Sequence, residues 1–200
     1  MGAVRLDDVT AHYGDQVEVA WHSYLLRPEP EPRPLDEFTA YTRKWERPAS
    51  LEPRATFNEW SGANAPPSHS LPSALAGKVA ETFGQQAQHE FSTRVFQAYF
   101  TENRTISDPI VLAEIALESG LDRAAFEQRW TELESDLVKQ VWRDYTTAVQ
   151  SGIRGVPAVV VNRRYLVSGA VDLAEYQRVI DSVLEGRTPA GYGEGATEDA

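Results

Sequence analysis

An α/β fold with a large helical segment set into it is what this 200-residue sequence predicts, on the strength of three stretches. Val17, Val19 and Trp21 alternate with Glu18, Ala20 and His22, the period of two shown by a strand that buries one face. From Leu35 to Gln150 the apolar residues recur instead at helical spacing. Beyond Gly155, the run Ala158-Val159-Val160-Val161 and then Tyr165-Leu166-Val167 read as two strands joined by the polar turn Asn162-Arg163-Arg164. Strand-bearing segments at 1–34 and 151–186 thus bracket an inserted helical domain at 35–150. Residues 187–200 are too poor in apolar side chains to repay ordering, and a disordered tail is expected there.

In chain order, Val4, Leu6, Val9 and Tyr13 sit at loosely helical spacing, and Gly14 is placed to cap a short helix. The strand that starts at Val17 runs on through Tyr24, Leu25 and Leu26. Arg27 to Pro34 carries four prolines in eight residues, which removes amide donors and fixes φ, so an extended connection follows. Inside the helical block, Pro48, Pro53 and the pair Pro66-Pro67 are expected to interrupt helices. Phe91, Val95, Phe96, Tyr99 and Phe100 form one broad apolar stripe. Asp108 before Pro109 is a helix start and Gly120 a helix end, with Leu112, Ile115 and Ala116 on the core face. Asp122 can cap the next helix, which carries Phe126, Trp130 and Leu133. Leu137, Val141 and Tyr145 continue towards Gly152, in one helix or two. The Ala158–Val161 strand reads as buried on both faces. Asp172 and Glu175 have the spacing of a capping box for a last helix containing Leu173, Tyr176, Ile180, Val183 and Leu184, which Gly186 closes.

Composition narrows the function classes. Hydrophobic residues make up 42% and charged residues 24%, as in ordinary globular domains. A net charge of −11 with no basic run argues against nucleic acid or an anionic membrane as partner. Neither a secretion signal nor a membrane-length apolar stretch is legible, so a cytoplasmic location is expected. There is no cysteine, which excludes disulfide staples, thiolate metal sites and a Cys nucleophile within these residues. His12, His22, His69 and His89 lack ligand spacing, no acidic pair stands out as an acid/base couple, and no metal site is expected. Gly191-Tyr192-Gly193-Glu194-Gly195 lacks the strand and helix of a dinucleotide loop, and Asn103-Arg104-Thr105 matches a glycosylation acceptor only by chance.

The informative local signal is Gly152-Ile153-Arg154-Gly155-Val156-Pro157, directly ahead of the Val run. A proline there heads the strand or makes a deliberate turn, and either a trans or a cis Val156–Pro157 bond satisfies that requirement. The segment 152–170, GIRGVPAVVVNRRYLVSGA, resembles the Gly-Val-Pro loop, hairpin and Ser-Gly-Ala turn of FrnE-like proteins of the DsbA family. AYFTENRTISDPIVLAEIALESGLD, residues 98–122, resembles that family's inserted helical region. VEVAWHSYLLRPEP, from Val17, resembles the strand before the insertion, and the order of all three agrees. The resemblance implies a thioredoxin-like fold of DsbA type interrupted by a helical domain. Pro157 would be the cis-proline beside the redox site, with Arg154, Gly155, Val156 and Pro157 forming the substrate-binding loop.

The sequence also departs from the family. Its members open with a strand and a Cys-Pro-Trp-Cys type motif, whereas Met1-Gly2-Ala3-Val4-Arg5-Leu6 is similar to the stretch just after that motif. That chemistry uses a thiol at a helix N-terminus because the helix dipole and free amides stabilise thiolate. The absent strand would leave its neighbours without a ladder partner, at about 1–3 kcal/mol for each buried group so orphaned. A native start upstream of Met1 is the expectation, with a short form that is unstable or completed by another chain as its rival. The functions implied are a thiol-disulfide oxidoreductase acting on a peptide or a small thiol or disulfide, or a glutathione-dependent enzyme like the 2-hydroxychromene-2-carboxylate isomerases. A redox-inactive binding module is the non-enzymatic alternative. No cofactor is expected beyond glutathione as a co-substrate, Arg154 can favour an anionic group, and a homodimer is compatible with the sequence. Asn64 to Leu75, with Pro66, Pro67, Ser68 and His69, corresponds loosely to a ligand-side loop of the isomerases.

Overall fold

A computed structural model describes residues 1–192. The chain divides into two compact units, one formed by Met1–Trp21 with the chain from Thr146 onward, the other by His22–Tyr145. Residues 22–34 therefore group with the helices, where the Ser23 amide donates to Asp144 and the Arg27 amide to the Ser70 hydroxyl. No helix among the described residues is long and apolar enough to cross a membrane.

The first unit is a hairpin covered by two helices. Helix α1 (Gly2–Tyr13) stops at Gly14, which has a left-handed φ of 54°. Its buried face is Gly2, Arg5, Val9 and Tyr13, while Val4 and Leu6 are only partly covered. Strands β1 (Ala158–Val161) and β2 (Tyr165–Ser168) pair antiparallel, with Val159 opposite Val167, and Asn162 and Arg163 both take positive φ in the turn. The last helix (Leu173–Leu184) completes a core of Val9, Tyr13, Tyr165, Val167, Tyr176, Val179 and Ile180, with Val159 and Val161 against it. The Tyr13 hydroxyl donates to Asp181 at 2.7 Å, and burial, reinforced by that carboxylate, pushes its pKa up to about 12.

Three expectations are corrected here. Val17–Leu26 is not a strand: it keeps the in-and-out alternation as far as Trp21 but has no ladder partner, because the only sheet among the described residues is β1–β2. Strand β1 is not buried on both faces either. Val160, pointing away from α1 and the last helix, is 46% exposed. Asp172 and Glu175 do not form a capping box, as Asp172 makes no side-chain cap and the Glu175 carboxylate is taken by Arg178 and by the Tyr192 hydroxyl. Those two bonds hold Glu175 down at about 2. Through Tyr192, and through Arg178 donating to the Ala190 carbonyl, residues 187–192 are tied to the last helix. The remainder of the expected tail, 193–200, lies outside the described residues.

The second unit has two cores. Helices α4 (Leu71–Glu81 by chain order after α2, Leu35–Thr42, and α3, Glu46–Leu51), α5 (Gln85–Phe100) and the segment Pro109–Glu118 pack with the start of the long helix Arg123–Gln150 around Leu75, Val79, Phe91, Leu112, Ile115 and Phe126. That long helix is continuous over 28 residues, which resolves the one-or-two question. Asp108 accepts from the Ile110 amide and Asp122 from the Ala125 amide, so both sequence caps form. The other core is aromatic: Phe38, Trp45 and Trp60 with Phe57, Tyr99 and Phe100, the ring centroids of Trp45 and Phe100 lying 4.9 Å apart edge to face. Two details differ from expectation. Pro48 sits in the first turn of α3, where no amide is needed, and so does not interrupt it. Residues 52–70 form no helix beyond the last residue of α3. They pack as a loop whose Trp60 amide donates to Thr42, while the Asn103 side chain accepts from Ser61, so Asn103 is a buried structural residue at φ 57°.

Asp144, on the long helix, gathers His22, the Ser23 amide and the Lys78 ammonium, at 3.4, 3.0 and 3.1 Å. Burial alone would raise its pKa, but these three donors outweigh burial and hold it at about 2. A carboxyl depressed in the folded state contributes stability above its ordinary value of 3.8 and loses it as pH falls towards 2. Asp144→Asn is therefore expected to lower unfolding free energy by about 1–3 kcal/mol at pH 7 and to flatten the loss between about pH 4 and pH 2, in urea titrations across that range. A Cβ added at Gly2 would stand 2.8 Å from Cβ of Pro157. Gly2→Ala should accordingly destabilise by about 1 kcal/mol in denaturant unfolding despite alanine's better helix propensity, since the proline ring cannot give way.

Candidate functional site

The site is built by the way the long helix ends. Gly152, at φ 80°, donates to the Val149 carbonyl and Ile153 to the Ala148 carbonyl, the double bond pattern that closes a helix with a left-handed residue. A side chain at Gly152 would be strained in that conformation, so the glycine is what lets the chain turn out of the helix into Arg154–Pro157. Pro157 then precedes β1, placed ahead of the ladder where a missing amide costs nothing. The Val156–Pro157 bond is cis.

Two fixed points hold the loop. The Gly169 amide donates to the Pro157 carbonyl at 2.8 Å, joining the loop to the turn that follows β2. From the other side Gly2 lies directly against the Pro157 ring, which brings the first turn of α1 up to the loop. Around these points Gly152, Arg154, Gly155, Val156, Pro157, Ser168 and Gly169 line a shallow cleft of about 390 Å³. All four residues singled out from the sequence are thus brought together.

The lining leaves backbone groups of the loop open. Val156 is 50% exposed, and among the described residues neither its amide nor its carbonyl, nor those of Arg154 and Gly155, has a hydrogen-bond partner. The Ser168 hydroxyl is likewise unengaged there, and Arg154 is an exposed cation without an ion pair among those residues. The lining contains no carboxylate, imidazole or thiol, so it holds no group for proton or electron transfer near neutral pH. Among the described residues no cluster of three His, Cys, Asp or Glu is arranged to hold a metal. The His69 ring pairs with the Ser68 hydroxyl at 2.9 Å in the second unit.

Sequence reasoning did not single out Gly2, Arg5, Ser168 or Gly169. The Ser168-Gly169 pair was visible only as part of a turn, and a lone arginine among Val4, Leu6 and Asp7 reads as a solvent-facing helix residue.

Known proteins share the family and the fold of this chain. Residues 1–181 match the family model of the DSBA-like thioredoxin domain. YwbO, an uncharacterized protein of Bacillus subtilis, is 30% identical over 172 residues, covering 84% of this chain and 82% of its own length. Among solved structures, SCO1869 of Streptomyces coelicolor, described as a probable DsbA oxidoreductase, superposes with a TM-score of 0.73 at 20% identity, covering 94% of this chain and 85% of that one. The cytosolic disulfide reductase DsbM of Pseudomonas aeruginosa, in its structure with GSH, gives 0.68 at 20% identity over 92% and 91% of the two chains. The helices around a small hairpin described above are therefore a thioredoxin-like fold with a large helical insertion, and the chain belongs to the DSBA-like thioredoxin domain family.

Proposed function

We propose that this chain is the substrate-binding body of a cytoplasmic thiol-disulfide oxidoreductase, receiving a peptide or a small thiol or disulfide in extended form along Arg154–Pro157. The observation that carries the reading is the unpaired backbone of Arg154, Gly155 and Val156 beside the cleft, which offers an extended ligand the hydrogen bonds of an added strand. Arg154 supplies a cation at the rim, suited to a carboxylate on the ligand. DsbM, described as cytosolic and solved with GSH, makes glutathione the natural probe. With no cysteine in the 200 residues, the thiol that exchanges electrons has to come from outside them. The same fact favours a second reading, a redox-inactive binding module using the same loop.

Titration calorimetry with reduced and oxidised glutathione tests the binding reading. A Kd between about 0.1 and 1 mM is expected, weakened about fivefold by Arg154→Ala and further by Arg154→Glu, with the Arg154 contribution shrinking as salt is added. Absence of binding at 10 times about 1 mM, or binding indifferent to Arg154→Glu, defeats the assignment of the ligand to this cleft. A glutathione-coupled disulfide reduction assay separates the two readings: the 200 residues alone are expected to show no turnover, and a chain supplied with a cysteine ahead of α1 to gain it.

A further inference from the structure

Arg5 is a charged residue on the inward face of α1, one turn beyond Gly2, with its side chain only 7% exposed. Burying a guanidinium is unfavourable unless its donors are satisfied. Here Nη1 donates at 2.6 Å to the carbonyls of both Ala170 and Val171, and Nη2 lies 3.8 Å from the carboxylate of Asp172, which is itself 91% exposed. The closest of these partners are thus main-chain oxygens of a single turn. That turn carries the wall of the cleft: the Val171 amide donates to the Gly169 carbonyl, and the Gly169 amide donates to the Pro157 carbonyl. A continuous line of hydrogen bonds therefore runs from Arg5 through Ala170–Val171 and Gly169 to Pro157. Gly2, on the same helix face, presses on the Pro157 ring from α1 itself.

We propose that Arg5 is a positioning residue for the substrate loop. By holding the Ala170 and Val171 carbonyls it sets the turn at which Gly169 grips Pro157, and so fixes the direction in which Val156 presents its free amide and carbonyl. The planar fork of arginine reaches both carbonyls from one nitrogen while keeping its other donors in place; an ammonium retains the charge without that geometry. The ligand in this inference is that of the proposed function, whereas the geometry stands without it.

The test is amide hydrogen exchange by NMR on the full chain and on Arg5→Lys and Arg5→Met, alongside glutathione titrations of the same samples. In Arg5→Lys the Gly169 amide is expected to exchange at least tenfold faster while the ladder amides of β1 and β2 change less than about twofold, and glutathione affinity to fall about fivefold. Arg5→Met should show a larger effect at Gly169 if it folds, and Arg5→Lys decides the matter if it does not. Unchanged Gly169 protection in folded Arg5→Lys overturns the proposal, and so does a uniform loss of protection over the whole hairpin, which would make Arg5 an ordinary core residue. If the parent chain does not bind glutathione, the functional reading fails, and the exchange pattern at Gly169 still decides the role of Arg5.

Discussion

A two-stranded hairpin is at best marginal on its own in water, so β1 and β2 persist only because one of their faces is buried. That burial is supplied by α1 and the last helix, whose Val9, Tyr13, Tyr176, Val179 and Ile180 close over Val159, Val161, Tyr165 and Val167. On the other face Val160 stands exposed between two inward-facing valines. Everything around the cleft inherits its position from this one-sided packing, since the Arg154–Pro157 loop enters β1 and the Ser168–Gly169 turn leaves β2.

The helical unit is held by different physics. It has two cores, one of mainly aliphatic residues together with Phe91 and Phe126, the other built from aromatic rings meeting edge to face. Its polar interior is economical. Asp144 satisfies an amide and two side-chain donors at once, tying the chain after Trp21 to the long helix and to Lys78. Asn103 does the same for the 58–64 loop, giving its side-chain oxygen to Ser61 and its carbonyl to Asn64. The Asn103 bonds satisfy polar groups of the 58–64 loop that have no helix or ladder partner, which helps that loop to pack without regular structure.

The cleft combines rigidity with chemical restraint. Its carbonyl at Pro157 and its turn at Gly169 are committed to each other, whereas the backbone just before them is left available. In the proposed function this surface would recognise a main chain through its hydrogen bonds and a charge through Arg154, while its lining holds no carboxylate, imidazole or thiol. Its affinity then depends on how firmly the loop is held, because a ligand that must first order its receptor pays that entropy itself. Gly2 and Arg5, both on α1, supply that firmness from a helix far away in sequence from the loop.

Much of this was legible in the residues alone. Helix periodicity, the caps at Asp108 and Asp122, the ends at Gly120, Gly152 and Gly186, and the hairpin after Pro157 all rest on interactions within a few positions along the chain, so local sequence determines them. The loop Arg154–Pro157 was singled out by its resemblance to the Gly-Val-Pro loop of the family. Tertiary structure decided the rest. Alternation at Val17–Trp21 specifies which side chains face inward, but a strand exists only when another strand bonds to it. Glu175 had the spacing of a capping box, yet Arg178 and Tyr192 offered its carboxylate stronger partners. Arg5 is the clearest case: a charge set between Val4 and Leu6 in sequence becomes a buried donor only because the turn at Ala170–Val171, 165 residues away, brings its carbonyls to that helix face.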